Sequence, residues 1–205
     1  MPRLATLSAH AKGLALCACL AFVAPSAAGF SDADGRFAVK GAGNMACSEF
    51  QETLGEKSVQ FGVYAGWVAG YVTGLNQAET ETYDLMGWHS VTSLLLAVDA
   101  YCSRVEDRPF HQAVGQVVAL MGNDRLTAFS PSVTLGEGGE AVSVYAETVR
   151  RIKQKLKQRG FYDGAVNTEY DAATSEAIKA VQEQAQLRPT GLPDQPTLTA
   201  LFLVD

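Results

Sequence analysis

Histidine and cysteine are scarce in this sequence: three His and four Cys among 205 residues. A catalytic zinc site takes three protein ligands and an open fourth position. His89 and His111 stand at no ligand spacing, so no metal and no cofactor is expected. Positive charge is also short, with 16 Lys and Arg against 22 Asp and Glu and a net charge of −6. Such an acidic chain is a poor match for a phosphate backbone or an anionic bilayer, which excludes nucleic acid as a partner class. Beyond residue 28 no stretch reaches the ~18–20 uninterrupted apolar residues that a membrane helix needs, so no membrane span is expected in the mature chain. Disorder is excluded from the other side: 47% hydrophobic and 19% charged residues make a globular composition.

The long apolar run that does occur lies at the start. Arg3 and Lys12 precede an uncharged stretch from Gly13 to Ala24, then Pro25 and the small residues Ser26-Ala27-Ala28. That order of features predicts a signal peptide over 1–28, cut before Gly29, and a periplasmic or secreted protein. A lipoprotein alternative would use Cys19 after Leu16-Cys17-Ala18, with most of the apolar run on the wrong side of the cut. Removing 1–28 leaves 14 basic and 22 acidic side chains, net −8, and two cysteines, Cys47 and Cys102. An even pair in an oxidising compartment predicts one disulfide, worth about 4 kcal/mol in the chain-entropy model.

Charge divides the mature chain. Residues 29–140 hold 6 basic and 14 acidic side chains, whereas 141–205 hold 8 of each. Two units follow: a helical domain over 29–125 and a second over 142–205. Residues 126–141, with Pro131, Gly136, Gly138 and Gly139, read as a linker. Apolar residues at three- and four-residue steps predict four helices in the first unit, near 46–56, 58–77, 88–103 and 109–121. The disulfide would tie the start of the first to the end of the third. The second carries Gly62, Gly66, Gly70 and Gly74, each costing about 1 kcal/mol relative to alanine. Close packing of another backbone within the domain is the expected return, with a homodimer or partner groove as the alternative.

In the second unit a helix resumes with Val142, Tyr145, Val149, Ile152 and Leu156 on one face. Arg150, Arg151, Lys153, Lys155, Lys157 and Arg159 lie on the other, expected as a solvated basic face or as contacts to ligand carboxylates. Two further helices open with an aspartate three residues before a threonine, Asp171 to Thr174 and Asp194 to Thr197. Each aspartate can accept from the free amides of the first turn. The fold class expected is therefore all-α, a four-helix disulfide-tied domain followed by three short helices around a small core.

Two resemblances attach to these residues. Residues Gly66 to Asn76, with the flanking cysteines, resemble small disulfide-bonded periplasmic helical proteins. These include acid-stress chaperones of the HdeA type and immunity proteins that neutralise type VI secretion amidases. The second resemblance is to the peptidoglycan-binding module PG_binding_1. Its carriers are Leu156, Gly160-Phe161-Tyr162 and Gly164, then Asp171, Thr174, Ala177-Ile178 and Gln182, then Leu187, Thr190-Gly191, Asp194, Thr197 and Leu201. Departures are Asn167-Thr168 for Asp-Gly, Tyr170-Asp171 for Phe-Gly, Val181-Gln182 for Phe-Gln and Gln186 for Gly. The resemblance implies a non-catalytic module that holds a partner domain on the cell wall. Tyr162 and Tyr170 would stack on sugars, while Asp163, Asn167 and Thr174 would bond amides.

Wall hydrolases commonly carry this module, so the front half needs a chemical check. A disulfide removes both thiols from nucleophilic chemistry. Glu49, Glu52 and Glu56 share one helix face, the ordinary position for solvated acids, and His89 beside Trp88 stands alone. No catalytic residue is expected. The expected role is an exported peptidoglycan-binding protein that anchors a helical interaction domain, with a possible protein partner. An inhibitor, immunity or chaperone-like role of the front domain is the alternative, and a cryptic wall hydrolase comes after it.

Overall fold

The computed structural model describes residues 31–54 and 59–204. The predicted signal peptide, with Cys17 and Cys19, lies outside the described residues. The chain divides into two compact units, Met1–Ala38 and Val39–Asp205. In the first, Asp32 Oδ1 accepts from the amides of Asp34 and Arg36, closing a turn.

The second unit is mostly helical. Its helices are α1 (Cys47–Gln51), α2 (Val59–Ala78), α3 (Val91–Cys102), α4 (Phe110–Met121), α5 (Ala146–Gln158), α6 (Ala172–Gln184) and α7 (Gln195–Phe202). Two strands, β1 (Ser132–Leu135) and β2 (Val142–Tyr145), pair antiparallel with Ser132 opposite Tyr145. No helix among the described residues is long and apolar enough to cross a membrane.

Helices α1 to α4 enclose one core. Phe50, Tyr64 and Phe110 form an aromatic triangle with ring centroids 4.8–5.2 Å apart, a spacing at which aromatic pairs add to plain area burial. Leu94, Leu95, Val98, Val114 and Val117 close around it. The Cys47–Cys102 disulfide is formed and fully buried, joining the start of α1 to the end of α3. The first helix is shorter than predicted. The third starts late because Ser90 caps it, accepting the Ser93 amide at 3.1 Å.

The mostly helical chain fits the expected all-α class, with three departures in detail. First, residues 126–141 contain a strand, β1, which pairs with β2 in a small two-stranded sheet. Val133 and Leu135 alternate with polar neighbours in β1, as do Val142 and Val144 in β2. The three-residue step from Val142 to Tyr145 imitated a helix, and the glycines of the hairpin imitated a linker. Ser130 instead closes the start of α5, its hydroxyl accepting the Glu147 amide at 2.9 Å. Second, the two predicted halves share a core. Trp88, which precedes α3, is 6% exposed and packs with Val144, Ile152, Ile178, Leu198 and Leu201 of the C-terminal half. Polar ties reinforce it: Tyr145 Oη donates to Asp84 (3.0 Å), Thr148 Oγ1 to the Gly87 carbonyl (3.3 Å), and Arg151 to the Arg125 carbonyl (3.0 Å).

Third, the glycine ridge of α2 supports no close packing among the described residues. A Cβ added at Gly62, Gly66, Gly70 or Gly74 would meet nothing within 4 Å. The buried face of α2 is Tyr64, Val68 and Val72 instead. Alanine at Gly66 or Gly70 should therefore raise stability by about 0.5–1 kcal/mol each, since helical propensity is gained and nothing is displaced. Urea unfolding of the single variants measures this, and a loss at either site would mean that the ridge packs against another surface.

Candidate functional site

The C-terminal half is organised by two buried polar side chains. Lys153 lies on α5 among residues that look like a solvated basic face, yet its side chain is 0% exposed. Its ammonium donates to Asn167 Oδ1 at 2.8 Å and Asp171 Oδ2 at 2.9 Å, and lies 5.5 Å from the Tyr162 ring centroid. An ammonium taken out of water must be paired and hydrogen-bonded. Burial works to lower its pKa, but the bonds to Asp171 and Tyr162 outweigh it and hold the amine above the ordinary lysine value. Asp171 is drawn well below the usual carboxylate range, first by the Thr174 hydroxyl, then by Lys153 and the Thr174 amide. That aspartate caps α6 and neutralises Lys153 at once, with Thr174 N at 2.7 Å and Thr174 Oγ1 at 2.6 Å.

Gln182, on α6, is the second hub. Its Oε1 accepts the Gly191 amide at 2.8 Å, while Nε2 reaches Thr197 Oγ1 (2.8 Å), the Leu192 carbonyl (3.0 Å) and Thr190 Oγ1 (3.0 Å). The Gly191 carbonyl accepts from Tyr170 Oη (2.5 Å) and Ser175 Oγ (3.1 Å). Gly191 has φ +69, and a Cβ there would run into Ser175 Oγ, so glycine is required. Together these bonds fix the 161–171 and 187–194 loops to the helices.

The five residues predicted to meet a ligand fall into two groups. Tyr162 and Thr174 are buried: Tyr162 Oη donates to the Ala165 carbonyl (3.2 Å), and Thr174 is enclosed against Asp171. They hold the loop and offer no face to a sugar or an amide. Tyr170 is half-buried, its hydroxyl committed to Gly191 and its pKa pushed up by burial. Asp163 and Asn167 are exposed on the loop, although Asn167 Oδ1 also serves Lys153. The expected basic face is largely engaged within the chain. Arg150 pairs with Glu147 at 2.5 Å, and Arg159 donates to the Ala200 carbonyl at 2.9 Å.

Two concavities flank the shared core, and neither was foreseen. A groove of about 1320 Å³ runs along α3, α6 and α7, lined mainly by apolar side chains such as Leu96, Phe161, Leu187 and Leu203. Beside it a cleft of about 430 Å³ is lined by Trp88, His89, Ser143, Tyr145 and Gln195. The His89 ring lies against Trp88, tilted by 30° with centroids 3.6 Å apart. Burial depresses the His89 pKa to about 4, only partly offset by Asp124 and Asp84, so the imidazole is neutral at physiological pH. Tyr145 is pushed up to about 12, by burial and then by the Asp84 carboxylate. Among the described residues no three His, Cys, Asp or Glu converge as metal ligands.

Residues 145–201 match the PG_binding_1 family, a peptidoglycan binding domain. The match begins at the last residue of β2 and ends in α7, enclosing both polar hubs. No curated protein and no solved structure matches the chain.

Asp194 and Asp171 cap their helices alike, but only Asp171 neutralises a buried cation. Asp194→Ala should cost about 1 kcal/mol and Asp171→Ala roughly 3–5 kcal/mol in urea unfolding. Equal losses would mean that Lys153 does not depend on Asp171. Because the folded pKa of His89 lies below its unfolded value of 6.5, the unfolded chain takes up a proton that the folded one refuses. Stability should therefore fall as pH drops from about 6.5 toward 4, and His89→Gln should flatten that window in unfolding curves recorded across it.

Proposed function

We propose that this is an exported, non-catalytic protein that binds peptidoglycan through its C-terminal module, residues 142–205, and carries the α1–α4 bundle as an interaction domain. The single observation behind this reading is the family match over 145–201, coincident with the segment whose loops are tied down by Lys153, Asp171 and Gln182. Loops held by buried bonds lose little conformational freedom when they dock, which favours binding to a polymer. Within the module, the wall-facing surface is the 161–171 loop, with Asp163 and Asn167 as the contacting side chains. Tyr162, Tyr170 and Thr174 shape that loop from beneath. Export fits a disulfide, which persists in oxidising compartments, and fits the leader-like first 28 residues.

The α1–α4 bundle is the part that meets a protein partner, as an inhibitor, immunity or chaperone-like domain. Its excess of acid over base suits a basic partner through electrostatic steering. Removing the module is a poor test of this division, because Trp88 would lose the core that covers it. The mature chain should instead co-sediment with insoluble, protein-free sacculi. Asp163→Ala, a change at an exposed loop position, should lower retention several-fold while leaving the unfolding midpoint unchanged. A wild-type chain left in the supernatant would overturn the proposal.

A further inference from the structure

The cleft beside Trp88 is lined by residues whose buried polar atoms the chain does not use. Trp88 Nε1, His89 Nδ1 and Gln195 Nε2 are buried without a hydrogen-bond partner among the described residues, and all three residues line this one cleft. Orphan buried polar groups are uncommon in folded proteins, and three at one place ask for an external partner. Two of the three have a fixed polarity. An indole N–H only donates. Gln195 Oε1 accepts the Ser90 amide at 2.9 Å, which orients the carboxamide and leaves its NH₂ as the free end. Two donors on residues that line one cleft require an acceptor in the ligand.

The charge of the cleft narrows the class further. Its one formally charged lining residue is Asp84, whose oxygens already accept from Tyr145 Oη at 3.0 Å and the Met86 amide at 3.0 Å. His89, with its pKa near 4, brings no positive charge at neutral pH. An anion would meet a carboxylate and no cation, and a cation would find Asp84 already engaged. A neutral acceptor fits, and Val142, Val144, Pro193 and Leu198 supply apolar wall for a small hydrocarbon group beside it. A volume of about 430 Å³ falls in the range of small-molecule sites, roughly 300–1,000 Å³.

We propose that the cleft formed by Trp88, His89 and Gln195 is a second binding subsite, outside the 161–171 loop, for a neutral amide carbonyl such as an acetamido group. It rests on the peptidoglycan reading for its natural ligand, since wall polymer presents amides both on its sugars and along its peptides. Because Trp88 and His89 precede α3 and Gln195 opens α7, ligand would be held by both halves of the fold at once.

The sequence contains two tryptophans, so the ¹⁵N-labelled mature chain gives two indole N–H signals by NMR, assigned with Trp67→Phe. Two probes are titrated separately: a tetramer of N-acetylglucosamine, and an alanyl-γ-glutamyl peptide amide. A shift of the Trp88 signal with either probe, the Trp67 signal holding still, supports the subsite and tells sugar amide from peptide amide. Gln195→Glu keeps the acceptor for Ser90, suits a helix N-terminus and removes the free donor. It should preserve the Trp67 signal and the melting temperature while weakening the responding probe at least tenfold. A Trp88 signal unmoved by both probes, or an affinity unchanged in Gln195→Glu, overturns the subsite. Retention on sacculi is scored in parallel. A retained chain with an unmoved Trp88 signal overturns the subsite alone, and a moved signal without retention supports an amide site while overturning the wall reading.

Discussion

One indole joins the two halves of this fold. Trp88 belongs by sequence to the N-terminal bundle but lies in the C-terminal core, in contact distance of Phe202 and surrounded by Val144, Ile152 and Leu201. A buried tryptophan carries one of the largest apolar areas any residue can remove from water. Its place there forces the 84–90 segment against β2 and α5, and the Asp84–Tyr145 and Gly87–Thr148 bonds follow. The small cleft lies beside this ring, where the two separately cored helix sets meet without filling the space.

The second constraint is electrostatic. Once Lys153 is buried, its ammonium must find oxygens, and the 167–171 loop supplies them. Gln182 does the same for the 190–192 turn through neutral groups. Side chains that look like ligand contacts thus become internal fastenings. The exposed remainder of the loop, with Asp163, takes no part in these fastenings, while stability resides in what lies beneath it.

Much of the architecture was legible in the chain. The steps of Tyr64, Val68 and Val72, and of Leu94, Leu95 and Val98, are set by the 3.6-residue period, so their helices could be located from spacing. Asp171 and Asp194 announce caps three residues ahead of a threonine, and both caps form. Gly160-Phe161-Tyr162 through Leu201 carry the family resemblance, which the family match bears out. Less legible were the strands, because four residues of alternation in Val142–Tyr145 also satisfy a helical step. The exposure of Gly62, Gly66, Gly70 and Gly74 was hidden too, because a small-residue ridge looks the same whether it is packed or open.

The sequence by itself determined the helices, the capping aspartates and the pairing of Cys47 with Cys102, since each depends on local periodicity or on the two cysteines outside the leader-like first 28 residues. Tertiary structure alone decided the fate of individual polar side chains. Lys153 is one of six basic residues within ten positions, and nothing local separates it from Lys155 or Lys157. Only the position of α6 beside α5 removes it from water and binds it to Asp171. The same holds for the Trp88-His89 pair and Gln195: the pair and the glutamine are remote in sequence, and only the meeting of two cores brings them to one cleft with polar atoms to spare.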